Sequence, residues 1–448
     1  MKNKDGGSSR YLFIIAYRNV KAHWRQSLAA LLSIAAAFAS IVLFEGYVKD
    51  IGFYYDTGHR YRGMFGDILI ENVNMLKPPG KKEPWKYMIS KEQQDEISQL
   101  LKRWDGRVEA SVKRLIATGL ISNGKTSSIF FALAFDLEQG LLMRKAGWEW
   151  NALYGLPLHK SENADVLNLG QGLGRVLGCV PAKKTISSLP RGGYAPENRP
   201  FKCENESMQL TAYTESGHLN ALDLNVAGLV DGGYSDLDSK YILLSLENGQ
   251  KLINTDKISM QTVLFKETQD VHAFAQDFKN SVGKKYPELE TYTWENHPTG
   301  EMYKKTMELF NVFRNFVAIV ILSISCLSVF NTQIKAVKER TREIGTLLSL
   351  GFYRHQVISL FVIEALMLAA LGIISGFIFT LVSMLTINNL GVYYKAGLLS
   401  EPILFHIMAS PETMLLASLG LFAITALSSY LTCRSTVNKK VIECLTHA

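Results

Sequence analysis

The sequence predicts an α-helical integral membrane protein, with four transmembrane helices and a large extracytoplasmic mixed α/β domain between the first and second. Three observations predict it. Hydrophobic residues, 47% of the 448, gather into four long runs instead of spreading evenly. The long segment between the first two runs alternates strand-like and helix-like patterns. Lys and Arg crowd one side of the runs, which also accounts for much of the net charge of +7 without invoking nucleic acid.

Each run is long enough to cross a bilayer, whose hydrocarbon core of about 30 Å takes roughly 20 helical residues. Ser27–Phe44 carries no charge. Phe316–Ile334 is the second run, and the third starts near Val357, holds one acid, Glu364, and stays uncharged to Tyr394. Met414–Cys433 is the fourth. The expected spans are 27–48, 313–334, 357–387 and 413–433. Small residues in "AFAS" would suit signal cleavage, but the first run continues past them behind a long N-terminal stretch, so an uncleaved helix is expected.

Basic residues set the orientation. Lys2, Lys4, Arg10, Arg18, Lys21 and Arg25 precede the first run. Lys335, Lys338, Arg340, Arg342 and Arg354 lie between the second and third, and Arg434, Lys439 and Lys440 follow the fourth. The 388–412 loop holds only Lys395. An amphipathic N-terminal segment (1–26), a loop (335–356) and a tail (434–448) are therefore expected in the cytoplasm, with 49–312 on the far side of the membrane.

"GLISNGKT" (119–126) fits the phosphate-cradling pattern G-x-x-x-x-G-K-[ST] letter for letter. Its context does not. A phosphate loop needs a helix after the Lys, whereas Ile129, Phe131, Leu133 and Phe135 alternate with their neighbours as a strand does. Asn123-Gly124 between two extended stretches reads as a hairpin with both residues at positive φ. "LGQGLGRVLG" (169–178) misses the G-x-G-x-x-G spacing and reads as a tight turn into a short helix.

Within 49–312, strands are expected at 64–72, around 111–122 and 128–135, and at 221–231, 240–246 and 259–266. Helices are expected at 90–104, capped by Ser90, and at 268–286. The stretch from about 140 to 220 is less regular and reads as an inserted subdomain. It holds Cys179 and Cys203, which could staple a loop in an oxidising compartment or remain free thiols. Cys326 and Cys433 lie in membrane runs, and Cys444 in the tail. No metal site is expected, since His59, His159, His218, His272 and His297 are scattered without ligand spacing. Nor does any nucleophile elbow or Cys-His arrangement point to an enzyme.

The segment "VKERTREIGTLLSLGFYRHQVISLFVIEALMLAALGIISGF" (337–377) resembles the FtsX/MacB-type permeases of ABC transporters through Glu339, Arg340, Arg342, Glu343, Ile344, Gly345, Gly351, Arg354, Glu364, Gly372 and Gly376. "IAYRNVKAHWRQSLAALLSI" (15–34) resembles the amphipathic start of the same family through Arg18, Asn19 and Arg25. "DVLNLGQGLGRVLG" and "NVAGLVDGGYSDLDSKYILLSL" resemble its lipoprotein-releasing LolC/LolE branch, although the proline usual after the last helix is missing. The resemblance implies a half-transporter that binds no cofactor itself. Two permeases, identical or paralogous, would join two copies of an ABC ATPase that holds ATP and magnesium. The outside domains would push or extract a lipoprotein or other periplasmic substrate, alone or with an adaptor. MacB-like tripartite export and FtsX-like signalling to a cell-wall hydrolase are the alternatives.

On that resemblance, 337–351 is expected to be an amphipathic coupling helix docking into an ATPase groove. Ile344, Leu347, Leu348 and Leu350 would give its apolar contacts, and Glu339, Arg340 and Glu343 its polar ones. Glu364 would pair with Arg354 or a backbone group near the interface. Gly372 and Gly376 form a small-xxx-small step for close helix packing, with a permease dimer as one setting.

Overall fold

The computed structural model describes residues 5–22, 24–148, 152–183, 193, 197–395 and 399–438. Lys2, Lys4, Lys439, Lys440 and Cys444 lie outside these. The chain forms two compact units. One comprises Met1–Ile51, Glu308–Gly391 and His406–Ala448; the other comprises Gly52–Met307 and Val392–Phe405.

The first unit is helical. It contains α1 (Asp5–Ala22) and most of α2 (Trp24–Thr57). Among the described residues, four helices are long and apolar enough to cross a membrane: Leu28–Arg62, Pro298–Glu339, Arg354–Leu390 and Pro411–Val437. All four outrun the expected spans, because helical hydrogen bonding continues into polar flanks. Ile34, Phe38 and Val42 of α2 pack with Val329, Ala369 and Leu421 from the other three, forming the core of this unit. Gly372 and Gly376 allow that packing. A Cβ on Gly372 would lie 2.9 Å from the Ile34 side chain, and one on Gly376 would lie 2.8 Å from the Ala35 carbonyl oxygen. The small-residue step therefore serves contact with α2 of the same chain.

The second unit is built on one ten-stranded mixed sheet. Its chain order begins with β1 (Ile68–Asn72), α3 (Lys91–Arg103), β2 (Val108–Ser122), β3 (Ser127–Phe135) and α4 (Leu137–Trp148). Then follow β4 (Ala152–Gly155), β5 (Val166–Gly170), α5 (Gln171–Val176), β6 (Cys179–Pro181), β7 (Phe201–Cys203), β8 (Ser207–Tyr213) and β9 (Leu219–Val230). The unit continues with β10 (Tyr241–Ser245), α6 (Leu246–Ile253), β11 (Met260–Phe265), α7 (Asp270–Asn280) and β12 (Leu289–Thr293). The helical part resumes with α8 (Pro298–Glu339), α9 (Thr341–Ser349), α10 (Arg354–Leu390) and α11 (Pro411–Val437). A two-stranded pair, β13 (Tyr393–Tyr394) and β14 (Ile403–Leu404), joins α10 to α11.

The sheet runs β12-β1-β11-β2-β3-β10-β5-β9-β4, with β8 pairing both β2 and β9. Its first four strands, with α3 and α7, follow the β-α-β-β-α-β order of a ferredoxin-like half. Ile68, Ile97, Trp104, Phe265, Phe274 and Phe278 fill the core of this half. Ser90 starts α3 with a capping box, its hydroxyl accepting from the Gln93 amide while the Gln93 side chain accepts from the Ser90 amide. The expected 268–286 helix instead breaks at Ser281.

β2 is long enough to belong to both halves. Beyond the ferredoxin-like part, β2, β3, β10, β5, β9 and β8 pair in turn until β8 meets β2 again, so six strands close on themselves. Leu115, Leu167, Leu210, Leu224, Ile242 and Leu244 belong to the core they enclose. Within the described part of the 140–220 stretch, β4, β5 and β8 are strands of the common sheet. Their brevity hid them, and parallel pairs such as β5–β9 leave no turn signal between them.

The "GLISNGKT" stretch is the tip of the β2–β3 hairpin. Gly124 has φ +88°, but Asn123 is not in the left-handed region. The Asn123 Oδ1 instead accepts from the amides of Lys125 and Thr126 at 2.9 and 2.7 Å, so an Asx turn replaces the expected primed turn.

Candidate functional site

α8 ends at Glu339 because Arg340 leaves helical geometry, with φ −104° and ψ 18°. The Thr341 hydroxyl turns back to the carbonyls of Val337 and Lys338, which bends the chain into α9. Ile344 is fully buried against Val337, Val357, Phe361 and Cys433, with Leu347 and Leu348 at the edge of the cluster. Gly345 is buried as well. Gly351, at φ +93°, ends the segment in the left-handed region, where a side chain would be strained.

This packing leaves Glu339, Arg342, Glu343 and Thr346 exposed. Leu350 and Tyr353 are 72% and 68% exposed. Leu350 therefore supplies no contact to the chain's own core. Arg340 departs from its expected surface role: it is buried, its Nη1 donates to Glu364 Oε2 at 2.6 Å and its Nε to Glu343 Oε2 at 2.7 Å. Its guanidinium also lies 4.8 Å from the centroid of the Phe361 ring. Glu364 is paired with Arg340 rather than Arg354, and its Oε1 accepts from Asn19 Nδ2 at 2.6 Å. A carboxylate in an apolar helix is held by such charge-assisted bonds. One carboxylate thus ties together α1, the start of α9, and α10. Asn19 entered the sequence reading only through family resemblance, and Leu350 and Tyr353 show their exposure only in three dimensions.

The other singled-out motifs are occupied differently. Lys125 of the glycine-rich stretch lies 3.3 Å from Glu204, and a strand follows it. At the start of α5, the Asp238 carboxylate accepts from the amides of Gln171 and Gly172 at 3.2 and 2.6 Å. A protein side chain thereby fills the place an anion would take. Cys179 and Cys203 stand opposite each other in the β6–β7 pair and form a disulfide. Among the described residues no cluster of three His, Cys, Asp or Glu is placed to hold a metal ion.

Among the described residues, four long apolar helices, an α/β domain between the first two, and a short helix clasped between the second and third define a multi-pass membrane architecture. Residues 315–441 match the family model described as FtsX-like permease C-terminal. The chain is 23% identical over 221 residues to an uncharacterised ABC transporter permease of Methanocaldococcus jannaschii, covering 49% of this chain and 54% of the relative. It is 25% identical over 155 residues to the macrolide export ATP-binding/permease protein MacB of Escherichia coli O157:H7, covering 35% of this chain and 24% of that protein. The periplasmic region of MacB from Actinobacillus actinomycetemcomitans aligns with a TM-score of 0.31 at 14% identity, over 54% of this chain and 92% of that structure. Over residues 315–441 the chain is thus similar to FtsX-like permeases, and over longer stretches to ABC transporter permeases including MacB. It spans about half, 54%, of the first of these relatives and 24% of the second.

Proposed function

We propose that the chain is the permease subunit through which a separate ABC ATPase drives movement of the α/β domain outside the cytoplasm, and that the movement extracts or exports lipoproteins. The observation that carries the coupling step is the solvent-facing side of α9, where Arg342, Glu343 and Thr346 stand beside Leu350. A helix presenting charge around an exposed leucine suits a groove on a partner. The Arg340–Glu364 clasp would pass a push on α9 to α10 without slack. Two permeases with two ATPases, both permease termini in the cytoplasm and the α/β domain beyond the inner membrane, follow from this reading and the basic residues near the helix ends.

Cargo contact is assigned to one sheet face. Leu120 opposes Ile129 across β2–β3, and Tyr213 opposes Leu219 across β8–β9. Leu120 also opposes Thr211, two residues before Tyr213, so all four share a face. They are 53–71% exposed, an apolar surface of the kind that marks an interaction site. The LolC/LolE-like pattern favours a lipoprotein as its cargo. Similarity to MacB supports a second reading, tripartite export with a periplasmic adaptor.

The test is a mild-detergent pull-down of the tagged chain from its native membrane, with mass spectrometry of everything retained. An ATPase with a lipoprotein is expected, whereas an ATPase with an adaptor supports the second reading. No ATPase from intact complexes would sink both. The pair Arg342→Glu and Leu350→Asp should lose the ATPase while inserting normally in the membrane.

A further inference from the structure

The α/β unit holds a partly open cavity of about 290 Å³ that the coupling mechanism does not use. It lies near the small end of the roughly 300–1,000 Å³ typical of ligand pockets. Its walls are largely aromatic and aliphatic: Tyr54, Phe65, Phe131, Leu133, Tyr234 and Leu237. Two arginines, Arg62 and Arg114, reach it, and Asp231 is the one acid among its described lining residues.

Asp231 is already engaged. It accepts from Arg62 Nη1 at 2.9 Å and from the Gly233 amide at 2.7 Å, and it also bonds the Ser400 hydroxyl. Arg114 has no carboxylate partner among the described residues. It is 4% exposed, its Nη1 donates to the Met64 carbonyl at 3.3 Å, and its Nε meets no acceptor. Its guanidinium lies 4.2 Å from the centroid of the Phe65 ring. Burial presses the Arg114 guanidinium down to about 10, and Arg144, also 4% exposed, is pressed down to about 10 by its burial as well. Nε and Nη2 of Arg144 have no acceptor. Unpaired charges in a protein interior are strongly unfavourable. Among the described residues, neither Arg114 nor Arg144 has a carboxylate within ion-pair distance, whereas Arg62 has Asp231.

We infer that this cavity binds a small amphiphilic carboxylate, its anionic head on Arg114 and its apolar tail against the Phe131 and Leu237 walls. The head supplies the acceptor that Arg114 lacks, and the aromatic walls take up the tail. Neither half suffices: an inorganic anion leaves the walls unused, and a neutral apolar molecule leaves the cation unpaired.

The site is tested with radiolabelled octanoate on the full chain in lipid nanodiscs, with empty discs subtracted for partitioning. Saturable binding at one site per chain is expected. Octanol and acetate, each carrying one half of the ligand's chemistry, should compete at least about tenfold more weakly than octanoate. Arg114→Gln should weaken octanoate binding about tenfold or more, and Arg114→Lys should restore part of it. Leu237→Trp, which fills the tail region and leaves every arginine in place, should abolish binding. The proposal is overturned if octanoate does not saturate above empty discs, or if octanol or acetate competes equally. Full binding by Arg114→Gln overturns it too. Should Arg114→Gln fail to fold, Leu237→Trp decides, because unchanged octanoate binding there places the ligand elsewhere.

Discussion

Arg340 reaches across 24 positions of sequence to donate to Glu364 at 2.6 Å, and Asn19 holds the other oxygen of the same carboxylate. The two side chains are 10% and 11% exposed. Breaking such a pair leaves an uncompensated buried charge, which costs about 3–5 kcal/mol. Arg340→Ala and Glu364→Ala should each lower the thermal unfolding midpoint of the purified chain. The double variant Arg340→Met with Glu364→Leu should recover much of the loss, since it leaves no orphan charge. Single variants as stable as the parent would remove the clasp from the account.

Two helix glycines should behave in opposite ways. Gly372→Leu drives a side chain into Ile34, whose atoms lie 2.9 Å from where its Cβ would stand. Overpacking of that kind costs about 1–3 kcal/mol. Gly420→Ala meets nothing within 4 Å and should be neutral or slightly stabilising, because alanine favours helix. Comparing the detergent-solubilised midpoints of the two variants checks the packing of α10 on α2. Equal effects would contradict it.

His159 makes stability fall on acidification. Burial, and then the charge of Arg144, bring its imidazole down from 6.5 to about 4, and its Nε2 has no hydrogen-bond partner. The folded chain therefore keeps His159 neutral where the unfolded chain takes up a proton. The sign follows: this contribution is complete above pH 6.5 and is lost progressively as pH falls towards 4. Denaturant midpoints recorded across that window should fall less steeply for His159→Gln than for the parent. Parallel curves would assign the acid sensitivity to other groups.

The Cys179–Cys203 bridge closes a loop over a sequence separation of 24. Restricting the unfolded chain over such a distance is worth about 3 kcal/mol. Cys179→Ser with Cys203→Ser should lower the midpoint, and reductant should bring the parent down to the same value. A parent indifferent to reductant would mean that the bridge contributes nothing.

The sequence announces its four spans because about 20 consecutive apolar residues have few other uses. Their ends are harder to read. α8 begins at Pro298, far ahead of the apolar run, with Glu301 and Lys305 paired on its polar first turns. Strands such as β4, of 4 residues, and β5, of 5, carry too little alternation to be found. Register explains the misread Arg340. The resemblance groups it with the polar contacts of the coupling helix, yet which helix face meets Glu364 depends on a bend at Arg340 that no local pattern encodes.

The α/β unit contains 392–405 as well as 52–307. Leu399 pairs with Tyr234 in an isolated bridge, and Ser400 bonds Asp231. The unit is consequently not a cassette. A chimera built by exchanging 52–307 alone would strand Asp231 beside a foreign loop, so recombination between relatives must carry two separate stretches of gene together to transplant one working domain. Inheritance of this domain and of the connection between α10 and α11 is thereby bound into a single event.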